Sequence, residues 1–163
     1  MEGLYNLYNK NGITVRPSLE SDIEYLKDKL RQSDIDEIWA ASHDLPESAL
    51  RRSFKESPFC CTILNGNPIG MFGIAPPVVL GNKASIWFLA SDDIKKIGRR
   101  FAKNSRKFID TMLSFYGYLY NFVDNRNKDS IKWLKLCGAT IEEPKPYGKE
   151  QRLFRYFYFK RGV

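Results

Sequence analysis

One short segment combines an amide, a hydroxyl and a glycine at a spacing that suits ligand binding. Asn127 follows the aromatic run 118–123, and Ser130 stands three residues after it. Residues 130–136 carry apolar side chains at the spacing of a short amphipathic helix. Gly138 predicts the end of this helix, because glycine adopts the left-handed conformation that often terminates one. The Asn127 side chain can therefore bind a ligand, cap the helix, or do both.

This order of strand, Asn-x-x-Ser, helix, glycine and a further strand resembles the pantetheine-binding half of the GNAT acyltransferases. The resemblance implies that Asn127 and Ser130 contact the pantetheine arm of acyl-CoA. Many members of that superfamily carry a tyrosine seven residues after the asparagine, which serves as general acid toward the leaving thiolate. This chain has Leu134 there, and a leucine cannot donate or accept a proton. We therefore expect no cofactor, with acetyl-CoA as the alternative.

Segment 91–100 stands where GNAT enzymes hold the CoA pyrophosphate. In those enzymes a loop of the type Arg/Gln-x-x-Gly-x-Gly/Ala lets backbone N–H groups approach the phosphates at a helix N-terminus. This chain keeps only Gly98 of the glycines, and the pair Asp92-Asp93 brings negative charge to the same place. These acids are better explained as helix caps and first-turn residues. If acyl-CoA binds, the resemblance assigns its phosphates to Gly98, Lys96 and Arg99.

A run of cations without an intervening acid occupies the same region. Apolar side chains at three- and four-residue spacing predict one long helix over about 92–115, with the cations on its solvent side. These cations, the basic strip, are Lys95, Lys96, Arg99, Arg100, Lys103, Arg106 and Lys107. Such a strip can dock nucleic acid or an acidic protein surface, or it can be a solvated helix face. The sequence leaves these alternatives open.

Composition indicates one folded domain in a reducing environment. The chain has 163 residues, 43% of them hydrophobic, which suits a single core and argues against overall disorder. No apolar run approaches the roughly 20 residues that a membrane-spanning helix needs. The three cysteines, two of them adjacent, and the single His43 argue against a disulfide framework and against a metal site. The formal charge of +7 favours anionic partners without identifying them.

The predicted elements follow a polar arm at 1–12 in the order β-α-α-β-β-β-α-β-α-β-β. The predicted helices cover about 21–31, 46–56, 92–115 and 128–136. The predicted strands lie near 13–17, 59–64, 69–74, 84–90, 118–123, 139–141 and 153–159. This order resembles a GNAT domain and implies one α/β (α+β) domain at 13–163, with a mixed sheet of six to seven strands and about four helices. The resemblance also implies that strands 86–90 and 118–123 run parallel and splay apart in a V.

Segment 86–139 resembles, more narrowly, the internal virion protein A family of short-tailed bacteriophages. The resemblance rests on the Trp87-Phe88 strand, on Ser91-Asp92, on the basic helix and on the block 131–135. Members of that family are made late in infection and are implicated in virion assembly. The resemblance implies a virion or assembly-associated protein with little or no acetyltransferase activity. It also implies phage structural or host proteins as partners, in the virion or the host cytoplasm.

Two other functions stay open on the sequence alone. GNAT members that resemble ribosomal-protein acetyltransferases also carry Ser-x-x-x-Leu, as at 130–134, and acylate amines. In that alternative Ser130 or a water serves the thiolate, and Glu142 or Asp124 deprotonates the amine. The second alternative is a basic nucleic-acid-associated protein, although the sequence contains no zinc finger or RNP aromatic pair. The tyrosines near strand 118–123 are expected to be core residues: Tyr116, Tyr118 and Tyr120.

Overall fold

The computed structural model describes residues 8–76 and 80–162, without the side chain of Arg100. Nine strands of this part of the chain form one sheet in the spatial order β1-β2-β3-β4-β5-β6-β9-β7, with β8 also paired to β9. The strands are β1 (Tyr8–Lys10), β2 (Ile13–Pro17), β3 (Phe59–Asn65), β4 (Asn67–Ala75), β5 (Lys83–Ala90), β6 (Tyr118–Asp124), β7 (Thr140–Ile141), β8 (Lys145–Tyr147) and β9 (Arg152–Lys160). The helices are α1 (Glu20–Leu26), α2 (Gln32–Ser42), α3 (Pro46–Glu56), α4 (Gly98–Phe115) and α5 (Lys128–Leu136), with a 3-10 helix at Asp92–Ile97 before α4.

Helices cover both faces of this sheet. Successive side chains of a strand point to opposite faces, so neighbouring residues of β5 contact different helices. On one face Ile86 and Phe88 pack with apolar residues of α4 and α5 in the main core. On the other face Trp87 and Leu89 pack with residues of α1 and α3. The predicted fold class, a single mixed α/β sheet flanked by helices, is confirmed.

The central feature is the parallel β5–β6 pair, which is joined at one end only. Lys83, Ala84 and Ser85 pair with the start of β6, and the pairing stops there. Beyond that point the Asn121 side chain spans the gap: its Nδ2 donates to the Ile86 carbonyl oxygen at 2.7 Å. The predicted V between two parallel strands is therefore present, and Asn121 satisfies a backbone group that the splay leaves without a strand partner.

The sequence analysis missed one helix and two short strands. Helix α2 was not predicted, and the helix expected at 21–31 ends at Leu26 instead. On α2 the buried positions include Asp34 as well as Ala40, so the buried face does not read as apolar. Strands β1 and β8 have only three residues each, too few to establish a period, whereas β7 (Thr140–Ile141) lies within the strand predicted at 139–141. The sheet therefore has nine strands instead of six or seven.

The long helix predicted over 92–115 is wrong in one respect, because it is interrupted at Gly98. A 3-10 helix covers Asp92–Ile97, and α4 begins at Gly98. Gly98 has φ +68° and ψ −175°, a combination that is essentially restricted to glycine. The 3-10 helix therefore gives way to α4 at a glycine, the residue type that tolerates this backbone conformation.

Of the predicted arm, residues 1–7 lie outside the described residues. Tyr8–Lys10 instead forms a hairpin with β2, and the Tyr8 ring packs on the core. All three cysteines are free thiols, as expected. Within residues 8–76 and 80–162, no helix is both long and apolar enough to cross a membrane.

Candidate functional site

A cavity of about 540 Å³ extends through the gap between the diverging strands β5 and β6. Its walls are mainly apolar, with Ile86 and Phe88 from β5 and Phe122 from β6. It reaches α2 at one side of the sheet and α4 and α5 at the other. This gap, the cleft, is a concave and mainly apolar feature at the place where the sheet opens, which makes it the default candidate for a binding site.

The open edge of β5 is paired with the chain's own groups at its last residue, Ala90, beside the cleft. The Ala90 backbone N–H donates to Asp34 Oδ2 at 3.0 Å. The Ala90 carbonyl oxygen accepts the backbone N–H of Arg31 at 2.8 Å. An extended ligand that pairs with a strand edge needs both groups. At Ala90 neither group is available to it.

Arg31 and Asp34 also form a buried ion pair behind this edge. Arg31 Nη2 lies 2.8 Å from Asp34 Oδ1, and both side chains are buried. Burial raises the pKa of Asp34, although the Arg31 charge and hydrogen bonds oppose the rise. The Arg31 guanidinium lies over the Phe88 ring, 5.6 Å from its centroid. The start of α2 thus anchors the end of β5.

Glu37, one turn further along α2, is a second carboxyl group with a raised pKa that lines the cleft. Burial raises the pKa of Glu37 to about 7, although hydrogen bonds from Asn127 and from the Asp124 backbone lower it. Asn127 Nδ2 donates to Glu37 Oε2 at 2.8 Å. A carboxyl group with a pKa near neutrality can exchange a proton with a bound molecule. No sequence motif pointed to Glu37.

Asn127 is where the sequence predicted it, and both ends of its amide are in use. Its Oδ1 accepts the backbone N–H of Ser130 at 3.3 Å, which caps α5, while its Nδ2 binds Glu37. The side chain is buried, and it is absent from the residues that line the cleft. Its helix-capping role is therefore established by the geometry. Ser130 does line the cleft and is half-buried.

Trp133 and Leu134 occupy the cleft wall with a structural role. Trp133 stacks on Phe88, with ring centroids 5.9 Å apart and an interplanar angle of 18°. Leu134 packs against the same core, whereas Lys132 and Lys135 are exposed. The predicted orientation of this helix is confirmed. Leu134 holds the position on α5 at which many GNAT enzymes carry a tyrosine.

The phosphate end retains part of the predicted cradle. Gly98, Arg99 and Ser130 line the cleft, so three of the proposed contacts converge, and Lys95 of the basic strip lines it as well. Lys95 Nζ lies 3.8 Å from Asp129 across the mouth. Lys96 points elsewhere and pairs with Asp93 at 2.9 Å. Cations therefore lie near the start of α4, but the carboxylates of Asp93 and Asp129 lie beside them.

Of the basic strip, five side chains are exposed and Arg106 is half-buried, and salt bridges divide the strip. Lys95, Lys96 and Arg106 are paired with carboxylates, Arg106 with Asp110 at 2.9 Å. Within the described residues three members are exposed and form no ion pair: Arg99, Lys103 and Lys107. They recur every four residues and so lie along one side of α4. The side chain of Arg100 lies outside the described set.

The two carboxylates considered as bases differ from Glu37. Asp124 is buried, and although burial raises its pKa, hydrogen bonds from Arg126 outweigh that effect and lower it. Its Oδ2 lies 2.7 Å from Arg126 Nη2. Glu142 is exposed. Asp124 therefore already serves a structural ion pair.

Comparisons with known proteins agree with this architecture. Residues 71–144 match the family model described as "Bacteriophage T7, probable scaffold protein Gp13". The chain is 26% identical over 140 residues to "Probable scaffold protein gp13" of Escherichia phage T7, covering 80% of this chain and 87% of that protein. A spermidine N-acetyltransferase of Vibrio cholerae, solved with CoA and spermine, superposes with a TM-score of 0.65 at 13% identity, covering 91% of this chain and 95% of the other. A ribosomal-protein-S5-alanine acetyltransferase of Vibrio fischeri gives a TM-score of 0.66 at 13% identity, covering 94% and 95%.

The fold is that of the GNAT acetyltransferases. The chain is also similar to the phage Gp13 family, over a segment that runs from β4 to just before β8. Leu134 offers no proton, and Ala90 offers no free strand edge.

Sequence reasoning missed Arg31, Asp34 and Glu37 because it did not predict α2. A usable signal was present. Residues 34, 37, 38, 41 and 42 all line the cleft, at the spacing of one helix face. A search that allowed carboxylates on the buried stripe would have found this helix.

Proposed function

We propose that the chain acts in phage particle assembly and uses a GNAT-like domain as a structural scaffold without acyl transfer. The pairing of Ala90 with Arg31 and Asp34 carries this proposal, because it occupies both backbone groups at the end of the open β5 edge, beside the cleft. The similarity to a T7 protein described as a probable scaffold protein supports the assembly role. An internal position in the virion, as the narrower sequence resemblance implies, is part of this proposal.

Contacts to partners are assigned to the part of the basic strip that stays free of salt bridges. Arg99, Lys103 and Lys107 present three charges along one side of α4. A row of cations at this spacing complements an acidic surface of a phage structural protein or a host protein. Nucleic acid is the alternative polyanion for the same row.

Calorimetry with acetyl-CoA tests the absence of acyl transfer. We expect no measurable binding heat at millimolar ligand and only a small thermal shift, since a ligand at 100 times its Kd stabilises by about 2.7 kcal/mol. A thermal shift of several degrees that Gly98→Glu abolishes would contradict the proposal. Lys135→Glu, on the solvent side of α5, is the matched control.

Deletion of the coding sequence from the phage genome tests the assembly role. We expect a lower yield of complete particles, restored by the wild-type chain supplied from a plasmid. The measurements are infectious titre and electron microscopy of purified particles. Normal particles without the chain would contradict the assembly role.

One observation favours a second candidate, acylation of an amine. Glu37 lines the cleft and has a pKa of about 7, which suits a general base. A thiol-release assay with acetyl-CoA and purified phage or ribosomal proteins tests this candidate. Turnover that Glu37→Gln abolishes and Glu143→Gln, an exposed control, leaves intact would replace the scaffold proposal with the enzymatic one.

A further inference from the structure

Four tyrosines form a continuous patch on one face of β6 and β9. Residues 118 and 120 of β6 face the same side as residues 156 and 158 of β9, because side chains alternate along each strand. All four rings are half-buried, and they are absent from both core clusters. The tyrosine patch consists of Tyr118, Tyr120, Tyr156 and Tyr158. It corrects the expectation that Tyr118 and Tyr120 are core residues, whereas Tyr116 does pack against the core.

No helix of the described chain packs over this patch as α4 packs over the opposite face. Helices α1 and α3 pack on β4, and α4 packs on β6 and β9 from the other side. Helix α2 instead meets the turn after β8, where the Lys149 N–H donates to the Ala41 carbonyl oxygen at 3.1 Å. The tyrosine patch is therefore a sheet face on the same side as α1 and α3, without their cover.

The ring faces of two tyrosines in this patch, Tyr118 and Tyr158, are already occupied. Tyr118 and Tyr158 stack with centroids 5.2 Å apart and an interplanar angle of 13°. Lys83 Nζ lies over the Tyr118 ring at 4.7 Å, and Lys160 Nζ lies over the Tyr158 ring at 5.8 Å. Two stacked rings thus stand between two ammonium groups, which restrains the side chains before any partner arrives.

The groups that remain for a partner are hydroxyls and ammonium groups. The Tyr118 and Tyr156 hydroxyls lie 3.0 Å apart, so one of them donates to the other and the second keeps a free donor. Burial raises the pKa of the Tyr156 hydroxyl, with the Tyr118 hydrogen bond as a further cause, so this hydroxyl stays protonated. Phenol O–H and ammonium N–H groups are donors that carboxylates accept.

We infer that the tyrosine patch, with Lys83 and Lys160, is a docking surface for an acidic segment of a partner protein. The inference rests on the proposed assembly function and names one partner surface for it. Tyrosine is enriched at protein interfaces because it offers large area and a hydrogen bond at low conformational cost. Single-stranded nucleic acid fits less well, because base stacking needs open ring faces. A second copy fits less well, because a two-fold contact brings the two lysine pairs together.

Site-specific photocrosslinking in infected cells tests this inference. The crosslinking residue p-benzoylphenylalanine replaces Tyr120, which leaves the Tyr118–Tyr158 stack intact. We expect a crosslinked product with another protein, and mass spectrometry should place the link in a peptide rich in Asp and Glu. The matched control position is Tyr25 on α1, which is also half-buried with a lysine, Lys29, 4.1 Å over its ring.

Charge reversal is the second part of this experiment. In the crosslinking chain, Lys83→Glu with Lys160→Glu should lower the yield about tenfold, since each ion pair on a surface contributes up to about 1 kcal/mol and repulsion replaces it. Lys29→Glu with Lys55→Glu, two exposed cations in the turn after α1 and on α3, should leave the yield unchanged. Thermal melting checks that each variant folds, and Lys83→Ala with Lys160→Ala replaces the first pair if it does not.

Four results would each overturn the inference. They are a nuclease-sensitive product, a product that joins two copies of this chain, no product above that at Tyr25, and a product that charge reversal leaves unchanged. The amount of wild-type chain in purified particles is measured in the same infections. A chain that enters particles without a crosslink at Tyr120 overturns this inference alone, whereas a chain absent from particles overturns the assembly proposal.

Discussion

At the splayed end of the β5–β6 pair the polar groups face other groups of the same chain, whereas at the closed end they face solvent. Asn121 satisfies Ile86, and Arg31 with Asp34 satisfies Ala90. At the closed end Lys83 and Tyr118 stand on an uncovered sheet face. Groups paired internally hold the fold together and have little left to offer a ligand. This comparison supports the proposal that a partner binds at the closed end, and it favours a structural role for the cleft.

The strongest test of the splayed end is Asp34→Ala. Removal of this carboxylate leaves Arg31 buried without its ion-pair partner and Ala90 without its acceptor. We expect the free energy of unfolding to fall by roughly 3–5 kcal/mol, measured by urea denaturation. Asp36→Ala, at an exposed carboxylate on the same helix, should change it by less than about 0.5 kcal/mol. Equal small effects would mean that the edge of β5 is open to ligands.

The pH dependence of stability tests Glu37 in the same region. Its folded-state pKa of about 7 lies above the usual 4.5, so the folded state holds this proton more tightly than the unfolded state. Stability should therefore fall as pH rises from about 4.5 to 7, by on the order of 3 kcal/mol in total. Glu37→Gln should remove this fall, which denaturation at several pH values would measure.

A carboxylate of the opposite kind serves as the control for that experiment. Hydrogen bonds from Arg51 lower the pKa of Glu47, so its contribution is lost as pH falls. Glu47→Gln should keep the fall between pH 4.5 and 7 that wild type shows. If Glu37→Gln and wild type show the same dependence of stability on pH, Glu37 is not shielded from water. The cleft is then more open to solvent than the comparison of the two ends of the β5–β6 pair implies.

Leu134→Ala tests the cleft wall and should have a smaller effect. Leu134 is partly buried and packs on the core beside Trp133, so the cost should be about 2 kcal/mol, at the low end for such truncations. Lys132→Ala, on the exposed side of the same helix, should stay within about 0.5 kcal/mol. Unchanged thermal stability in Leu134→Ala would place α5 one turn away from the predicted alignment.

The parts of the fold that the sequence predicted carry local signals. Asn127 and Gly138 bound α5, and apolar alternation together with the family resemblance located β5 and β6. The missing helix α2 has the opposite character, because its buried stripe contains Asp34 and half-buried Glu37. Periodicity counts such residues as solvent-facing, although here each carboxylate is matched by a partner from elsewhere in the chain.

The candidate site was predictable only where a local sequence motif supplies its residues. Gly98, Arg99 and Ser130 converge on the cleft as the resemblance implied. Glu37 binds Asn127 across 90 residues of sequence, and no spacing rule reaches that far. The tyrosine patch was not predicted from the sequence, for a related reason. An aromatic strand reads as buried unless one knows which helices cover the face it presents.

The smallest effect on stability, and the sharpest test of outward-facing charge, belongs to the basic strip. Arg99→Glu, Lys103→Glu and Lys107→Glu together should change the free energy of unfolding by less than about 1 kcal/mol, because all three are exposed and a glutamate at 99 suits the start of α4. Entry of the chain into particles should nevertheless fall, measured by immunoblot of purified virions. If the row binds duplex DNA instead, wild-type affinity should fall with salt at a slope near 0.9 per phosphate contacted. Normal entry by the triple variant would make α4 a solvated face and would leave the closed end of the β5–β6 pair as the surface to which partner binding is assigned.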